Sequence, residues 1–262
     1  METVSANKQE VSETTSDPKG SDHIVEIKHL RKSFGNKDVL KDINLTLSDG
    51  ENLVVLGKSG SGKSVLIKCI SGLLEADDGT LSVLGKNLEE LDEKNLNQLR
   101  KKIGFLFQSA ALYDSMTVRE NLEFPLRELN SAKEEEIDQR VKETLQNVGL
   151  LEAIDKMPSE LSGGMRKRVG LARTLILKPK LMLYDEPTTG LDPITAKEIS
   201  KLIIDVQKNS NTASIIITHD IACAKITSDR VIILKDGTFA AEGTFSELQE
   251  SKDPWVQSFL EQ

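Results

Sequence analysis

The sequence has little of what marks secreted, zinc-binding or membrane-spanning proteins. Its 262 residues include two cysteines, Cys69 and Cys223, and three histidines without ligand spacing, which predicts neither a disulfide framework nor a zinc site. The apolar runs at 214–217 and 231–234 are far shorter than the ~20 residues that cross a bilayer. The first residues show no charged-then-apolar signal segment. We therefore expect an intracellular protein that cannot form a membrane channel by itself.

Positive charge and aromatic rings are also scarce. The net charge of −8 argues against a partnership with nucleic acid, because neutralising phosphates needs a basic face. Small basic clusters at 100–102 and 166–168 are expected to be local anion or partner contacts. Aromatic residues make up 4% of the chain. Among them, Phe34 either stacks on a purine ring or fills a strand–strand interface, and its position alone favours neither reading.

A complete phosphate-loop pattern, G-x-x-x-x-G-K-[ST], stands out against this background. Its residues are Gly57, Lys58, Ser59, Gly60, Ser61, Gly62, Lys63 and Ser64. An apolar strand at 53–56 precedes the loop and a helical pattern at 64–71 follows it, which is the context the motif requires. Glycines let successive N–H groups point into one hollow, and the helix start adds partial positive charge. Lys63 is predicted to reach the β- and γ-phosphates of a nucleotide, and the Ser64 hydroxyl to ligate Mg²⁺. A flexible Gly/Ser loop that binds nothing is the alternative, and the flanking pattern disfavours it.

Strand and helix patterns alternate along most of the chain, which predicts an α/β fold with a P-loop NTPase core built on a mainly parallel sheet. An antiparallel β subdomain is expected near residues 24–47 and 79–84, with a turn at 30–38. The helix-only stretch at about 109–178 predicts an inserted α-helical subdomain. Its clearest helix, 131–148, has an apolar face at helical spacing, formed by Ile137, Val141, Leu145 and Val148.

The two ends of the chain differ from its middle in composition and residue pattern. Residues 1–21 are polar and cannot bury enough apolar surface to offset ordering entropy, so we expect a disordered tail. The nucleotide-binding domain is assigned to 22–250. Residues 251–262 form a C-terminal segment with a short amphipathic pattern and the only tryptophan, Trp255.

Three predicted strands end in polar side chains that suit nucleotide hydrolysis. Open parallel sheets place their sites at the carboxyl ends of strands, where Asp185, Gln108 and His219 lie. Asp185 is predicted to coordinate magnesium, and Gln108 to reach both the metal and the attacking water. Glu186 is predicted to orient or deprotonate that water. A lone histidine is usually structural, but the position of His219 favours a contact with the γ-phosphate.

A second anion-binding turn, Ser162-Gly163-Gly164, begins another predicted helix about 100 residues beyond the first. One nucleotide does not need two such turns on one chain. Two copies packed head to tail do, because each would press its ATP against the partner's turn. An ordinary glycine-containing helix cap would be the preferred reading if this stretch stood alone.

Taken together, these motifs resemble the ATP-binding-cassette (ABC) ATPases over about residues 24–250. The resemblance rests on the phosphate loop, Gln108, the signature 161–165, Asp185-Glu186, the D-loop 191–192 and His219. It implies ATP hydrolysis, an adenine-stacking role for Phe34, and a nucleotide-sandwiched dimer with Asp192 at its interface. It also implies docking under two transmembrane subunits. The signature ends in Met165 where the family usually has glutamine; because serine and the glycine N–H groups contact phosphate, hydrolysis is not put in doubt.

Finer resemblance points to the ATPases of Mla (maintenance of lipid asymmetry) phospholipid transport. It is carried by residues 107–113, 115–118, 121–127, 160–165 with the basic triplet after them, 192–195 and 253–260. Such a protein would lie on the cytoplasmic face of the inner membrane. Its partners would be a second copy of itself, a multi-spanning permease, a membrane-anchored lipid-binding protein and sometimes a small soluble regulator. The alternatives are the ATPase of a solute importer, of the amino-acid type, and a non-transporting ABC ATPase of a cell-division complex.

Overall fold

The structure is a computed structural model that describes residues 23–129 and 132–261. Its strands are β1 His23–Phe34, β2 Lys37–Ser48, β3 Asn52–Leu56, β4 Asp78–Val83, β5 Lys86–Asn87, β6 Ile103–Leu106, β7 Leu181–Asp185, β8 Ala213–Thr218, β9 Arg230–Lys235 and β10 Thr238–Gly243. Its α-helices are α1 Lys63–Ile70, α2 Glu93–Arg100, α3 Val118–Glu128, α4 Glu134–Asn147, α5 Gly163–Leu175, α6 Pro193–Ser210, α7 Ile221–Thr227, α8 Phe245–Gln249 and α9 Pro254–Leu260. The predicted disordered tail, 1–21, lies outside the described residues.

A six-stranded sheet in the order β10-β9-β3-β8-β7-β6 forms the centre of the molecule. All its neighbouring strands pair in parallel except the edge pair β10 and β9, which is antiparallel. Every residue of β3 and β8 is buried, as expected for parallel strands covered on both faces. The predicted fold class is therefore confirmed.

The two faces of this sheet belong to different apolar clusters. Val54 and Leu56 of β3 pack with the helices that follow β6, whereas Leu53 and Val55 pack with α1 and the second sheet. This alternation follows from the strand period of two residues. The central sheet is thus held between two cores, which fixes the strand ends where the candidate site lies.

The second sheet is antiparallel, in the order β2-β1-β4-β5. The predicted turn at 30–38 was wrong in its extent. Strand β1 continues to Phe34, and only Gly35 and Asn36 turn the chain. Register shifts between Ile27 and Leu30 break the alternation that marks a strand, and His29 there has a φ of 54°.

Helices α3, α4 and α5 occupy the stretch between β6 and β7. The four apolar residues predicted on one face of the 131–148 helix are all buried. The helix itself begins at Glu134, and residues 130 and 131 lie outside the described part of the chain. In the described ranges, no helix is both long and apolar enough to cross a bilayer.

Candidate functional site

The phosphate loop joins the buried strand β3 to helix α1. Gly62 stands at the N-cap with a φ of 109°, a conformation that strongly favours glycine. Lys63 opens the helix and is 6% exposed. Its Nζ atom donates to the carbonyl oxygens of Gly57 at 2.7 Å and Lys58 at 3.2 Å. The ammonium group is therefore folded into the hollow that the loop encloses.

The interior of this loop has an unpaired polar atom. Ser61 Oγ is buried and has no hydrogen-bond partner among the described residues. A side chain at Gly57 would fill the same space, because its Cβ would lie 2.6 Å from Ser61 Oγ and 2.7 Å from the Leu234 carbonyl oxygen. A buried hydroxyl without a partner is costly. The loop therefore fits a ligand rich in acceptor oxygens, such as a triphosphate.

Asp185 ends β7 beside this loop, and its Oδ1 atom lies 3.5 Å from the Ser64 hydroxyl that donates to it. Burial and the neighbouring charge of Glu186 raise the pKa of Asp185 above its ordinary value. A cation bound here would offset both the cost of burying the Asp185 carboxylate and its repulsion by Glu186. Hydroxyl, carboxylate and amide oxygens are ligands that Mg²⁺ accepts. Ser64, Asp185 and the nearby Gln108 therefore fit a magnesium ion held against phosphate oxygens.

Glu186 is held by contacts at both carboxylate oxygens. Its Oε2 atom lies 2.8 Å from Nδ1 of His219 and 3.3 Å from the His219 backbone nitrogen. The hydroxyls of Thr189 and Thr218 also donate to Oε2, each at 3.2 Å. Its Oε1 atom lies 3.4 Å from Nζ of Lys63. Because β7 and β8 are neighbours in the sheet, Glu186 and His219 meet although 33 residues separate them.

The electrostatics of Glu186 favour its ionised form. Burial raises the pKa of this carboxyl, but the hydrogen bond from His219 and the charge of Lys63 outweigh burial, so the pKa lies below its ordinary value. The backbone of Glu186 has a φ of 49°, a left-handed conformation that a non-glycine residue rarely adopts. A strained backbone at a charged side chain is a common feature of catalytic sites.

Gln108 lies in a turn two residues beyond the end of β6, and its side chain is exposed. Its backbone carbonyl accepts a hydrogen bond of 2.5 Å from Nζ of Lys167. The same Nζ atom lies 3.2 Å from the carbonyl oxygen of Glu186 and donates to it. Burial lowers the pKa of Lys167, and the negative charges of Asp185 and Glu186 oppose that effect.

A cleft of about 850 Å³ opens above these groups. Its lining includes ten predicted site residues, Gly57, Lys58, Ser59, Gly60, Gly62, Lys63, Ser64, Gln108, Glu186 and His219. Phe34 does not line it in the described structure. That ring is 50% exposed and pairs in register with Lys37, which does line the cleft. Its exposed face beside the cleft is compatible with stacking on a base.

The turn 162–164 lies at the start of α5. Ser162 is the N-cap, and its hydroxyl accepts from the Met165 N–H at 3.3 Å. Gly164 packs against the start of α6, so closely that a Cβ atom there would lie 2.4 Å from Cγ2 of Thr195. Asp192 caps α6 and accepts from the Thr195 hydroxyl at 2.5 Å. The predicted signature and D-loop therefore form one packed unit.

This unit is separate from the cleft. Among the described residues that line the cleft, none belongs to the turn 162–164 or to Asp192. Ser162 and Asp192 are both exposed. The structure thus brings together the phosphate loop, Asp185, Glu186, Gln108 and His219, and it leaves the second predicted anion turn on another part of the surface.

Some residues at the site were not predicted from the sequence. The cleft is also lined by Val39, Asp220, Ile221, Ala222 and, from the C-terminal segment, Phe259. Phe259 is an apolar residue near the end of the chain, and its pattern gives no hint of nucleotide contact. Lys167 lies within a basic triplet whose three members look alike in sequence. Of these, burial and contact distances alone single out Lys167.

Comparison with known proteins gives consistent results. A family model described as ABC transporter matches residues 40–189. The probable ribonucleotide transport ATP-binding protein mkl of Mycobacterium leprae is 41% identical over 90% of this chain and 68% of its own length. The Arabidopsis thaliana chloroplastic protein TRIGALACTOSYLDIACYLGLYCEROL 3 is 39% identical over 91% of this chain and 74% of its own. The methionine import ATP-binding protein MetN of Brucella abortus is 37% identical over 93% and 66%. The chain thus spans about two thirds to three quarters of the length of these relatives.

Solved structures are similar over most of the chain. The dimeric post-hydrolysis state of the ATP-binding cassette MJ0796, bound to ADP and Pi, has a TM-score of 0.76 at 33% identity and covers 84% of this chain and 98% of its own. CbiO1 from Clostridium perfringens, part of the ABC transporter complex cbiONQ, has a TM-score of 0.82 at 30% identity and covers 92% and 100%.

Proposed function

This chain belongs to the ABC transporter family, and we propose that, as the ATP-binding and ATP-hydrolysing subunit of a transporter, it powers phospholipid transport at the cytoplasmic face of the inner membrane. The single observation that supports phospholipid as the cargo is the 39% identity to the Arabidopsis thaliana relative, which is named after the galactolipid trigalactosyldiacylglycerol. The resemblance of residues 107–127 and 253–260 to phospholipid-transport ATPases agrees with it.

Hydrolysis rests on the groups around the cleft. The loop N–H groups and Lys63 hold the triphosphate, and Ser61 supplies a further donor. Ser64, Asp185 and Gln108 would hold Mg²⁺, which neutralises charge on the β- and γ-phosphate oxygens when bound. The pKa of Glu186 lies below its ordinary value, so the carboxylate is ionised, which is the form that can accept the proton of the attacking water.

His219 has two roles in this scheme. In the structure its Nδ1 atom lies against Glu186, which holds the carboxylate at the edge of the cleft. Because a carboxylate only accepts hydrogen bonds, Nδ1 carries the proton in this contact. The side chain is 58% exposed and lines the cleft, and its other nitrogen donates to the γ-phosphate only in the imidazolium form, in which both ring nitrogens carry a proton.

Completion of the site requires a second copy of the chain. The turn 162–164 offers a helix N-terminus and an exposed serine, and it lies away from the cleft of its own chain. Two copies packed head to tail would bring each turn to the partner's nucleotide, with Asp192 at the interface and Phe34 on the adenine. The dimeric, ADP-bound state of MJ0796 supports this arrangement.

The proposed membrane partners are a multi-spanning permease, a membrane-anchored lipid-binding protein and a small soluble regulator. In this proposal the permease provides the path across the bilayer, and this chain provides the ATPase activity. CbiO1, a structural relative, is part of a multi-component transporter complex, which supports a permease for this chain as well.

An amino-acid importer is the second candidate. The 37% identity to MetN over 93% of this chain favours it, since MetN is named for methionine import. The two candidates share the ATPase chemistry and differ in the cargo and in the partner that delivers it.

Co-purification from membranes separates the two candidates. The tagged Glu186→Gln variant, which is expected to keep ATP bound, is extracted in mild detergent with ATP and Mg²⁺, and its partners and lipids are identified by mass spectrometry. Lys63→Ala, with weakened ATP binding, is the matched control. Phospholipid in molar amounts with a permease supports the proposal. A permease with a solute-binding protein and no enriched phospholipid would overturn it in favour of the importer.

A further inference from the structure

Lys167 is a buried lysine whose charge faces two backbone carbonyls and no carboxylate oxygen at bonding distance among the described residues. It lies in the second turn of α5 and is 5% exposed. Its Nζ atom donates to Gln108 O at 2.5 Å and to Glu186 O at 3.2 Å. These carbonyls belong to two residues assigned to hydrolysis, 78 positions apart in sequence and on different strand ends.

Packing alone does not explain a lysine at this position. Burying an ammonium group is costly unless it is well hydrogen-bonded, and a methionine would fill a similar volume without that cost. The two carbonyls provide the compensation, and the nearby charges of Asp185 and Glu186 favour the ammonium form. The neighbouring Arg168 differs, because it pairs with Glu198 at 2.7 Å and the Val148 carbonyl at 3.2 Å, away from the cleft.

The backbone of Glu186 needs such support. Its φ of 49° lies in a region that costs a non-glycine residue free energy, and such a conformation persists where the surroundings over-determine it. The Glu186 N–H donates to Ile217 O at 2.9 Å, which fixes one side of the residue. On the other side, the carbonyl oxygen accepts from Nζ of Lys167 at 3.2 Å and from the Thr189 N–H at 3.3 Å. Without Lys167, that carbonyl keeps only the contact with Thr189 in the same turn, so the peptide after Glu186 loses its tie to helix α5.

From this geometry we infer that Lys167 is a positioning residue for hydrolysis, which holds the Glu186 carboxylate and the Gln108 turn in register. The inference rests on the proposed function of Glu186. Because Lys167 and Ser162 belong to the same helix, five residues apart, a displacement of α5 moves both. The same lysine therefore links the position of the outward-facing 162–164 turn to the geometry of Glu186 in its own chain.

The test compares Lys167→Met with Arg168→Met in the full-length chain. Both variants remove a cation and a carbonyl contact from α5, but only the first lies against Gln108 and Glu186. For Lys167→Met we expect a kcat for ATP lowered about 10- to 100-fold, the loss typical of a misplaced catalytic group. The Kd for a fluorescent ATP analogue should stay within about threefold, because no phosphate contact is removed. Arg168→Met should lower the Tm and leave kcat within about twofold of the wild type, since it touches no group of the site.

Lys167→Arg keeps donors for both carbonyls and should recover most of the lost kcat. If Lys167→Met does not fold, Lys167→Gln takes its place, because its amide has fewer donors and no charge. A kcat for the folded variant within about threefold of wild type would overturn the inference, as would an equal loss of kcat in Arg168→Met.

A double-variant cycle with Glu186→Gln separates this inference from the proposed function. If Lys167 acts through Glu186, Lys167→Met should lower single-turnover hydrolysis much less in the Glu186→Gln background than in the wild type. Equal losses in both backgrounds would refute the action through Glu186. If Glu186→Gln alone hydrolyses ATP at a near wild-type rate, the proposed role of Glu186 fails, whatever Lys167→Met does.

Discussion

The close packing of Gly164 on Thr195 makes a sharp prediction for the signature turn. A Cβ atom at position 164 would lie 2.4 Å from Thr195 Cγ2. The threonine cannot simply rotate its methyl away, because its hydroxyl donates to Asp192 Oδ2 at 2.5 Å and fixes the rotamer. Gly164→Ala should therefore push the starts of α5 and α6 apart. Thr195→Ser removes the clashing methyl and keeps the hydroxyl, so it should relieve the effect.

The magnitude follows from two opposing terms. Carbon atoms pack at about 3.5–4.0 Å, so the contact must open by about 1 Å or more. Overpacking of this kind costs about 1–3 kcal/mol. Alanine regains at most ~1 kcal/mol over glycine in a helix, and less at the second helical position, where Gly164 lies. We expect Gly164→Ala to lower the free energy of unfolding by about 1–2 kcal/mol, and the added Thr195→Ser to recover about 1 kcal/mol of it.

Urea denaturation of the wild type, both single variants and the double variant measures this coupling directly. ATPase rates are recorded on the same samples, because the turn is proposed to meet the partner's nucleotide. Gly164→Ala should bind ATP normally and hydrolyse it slowly, and the double variant should regain activity. Additive effects, with a coupling energy below about 0.5 kcal/mol, would show that the two side chains do not clash and refute the reasoning.

Three further predictions concern the cleft and the second turn. Asp185→Asn should raise the Tm of the nucleotide-free protein at pH 7, because burial and Glu186 raise the pKa of Asp185; a raised folded-state pKa means that stability is lost as pH rises through it. The same variant should lose magnesium-dependent hydrolysis. An unchanged or lower Tm would contradict the raised pKa of Asp185. Glu186→Gln should bind ATP and lower kcat at least about 100-fold, trapping a dimer that size-exclusion chromatography detects; turnover near the wild-type rate would rule out its role. Ser162→Arg should abolish hydrolysis and leave ATP binding intact, and a variant that hydrolyses normally as a monomer would disprove the two-copy site.

Much of the fold was predictable because its signals are local. The 3.6-residue period of Ile137, Val141 and Leu145 identified α4, and all three are buried. The first antiparallel strand was misjudged because its signal is not regular. A register shift after Ile27 moves Leu30, which is fully buried, out of the alternation expected for a strand.

Helix α7 was not predicted, although one signal for it exists. It has seven residues and no repeated apolar period. Asp220 caps it by accepting from the Cys223 N–H at 3.0 Å, and an Asp directly after the strand-ending His219 is the kind of start signal that the sequence displays.

The candidate site was likewise predictable only in part from the sequence. Strand ends are readable from sequence, so Asp185, Gln108 and His219 were expected at one sheet edge, and the strand order β8-β7-β6 places them there. The contacts of Glu186 with His219 and of Lys167 with two carbonyls depend on strand order and helix docking. No local pattern encodes such contacts, because residues distant in sequence make them.

The separation of the cleft from the 162–164 turn has a consequence for the rate law. If the 162–164 turn completes the partner's site as proposed, the protein is idle when diluted and becomes active when two copies meet. At the dilute limit, turnover per chain of the free protein should then rise in proportion to protein concentration, so that the total rate is second order in protein. A membrane assembly that seats two copies side by side removes that dependence, so the transporter itself would set the resting rate of ATP consumption.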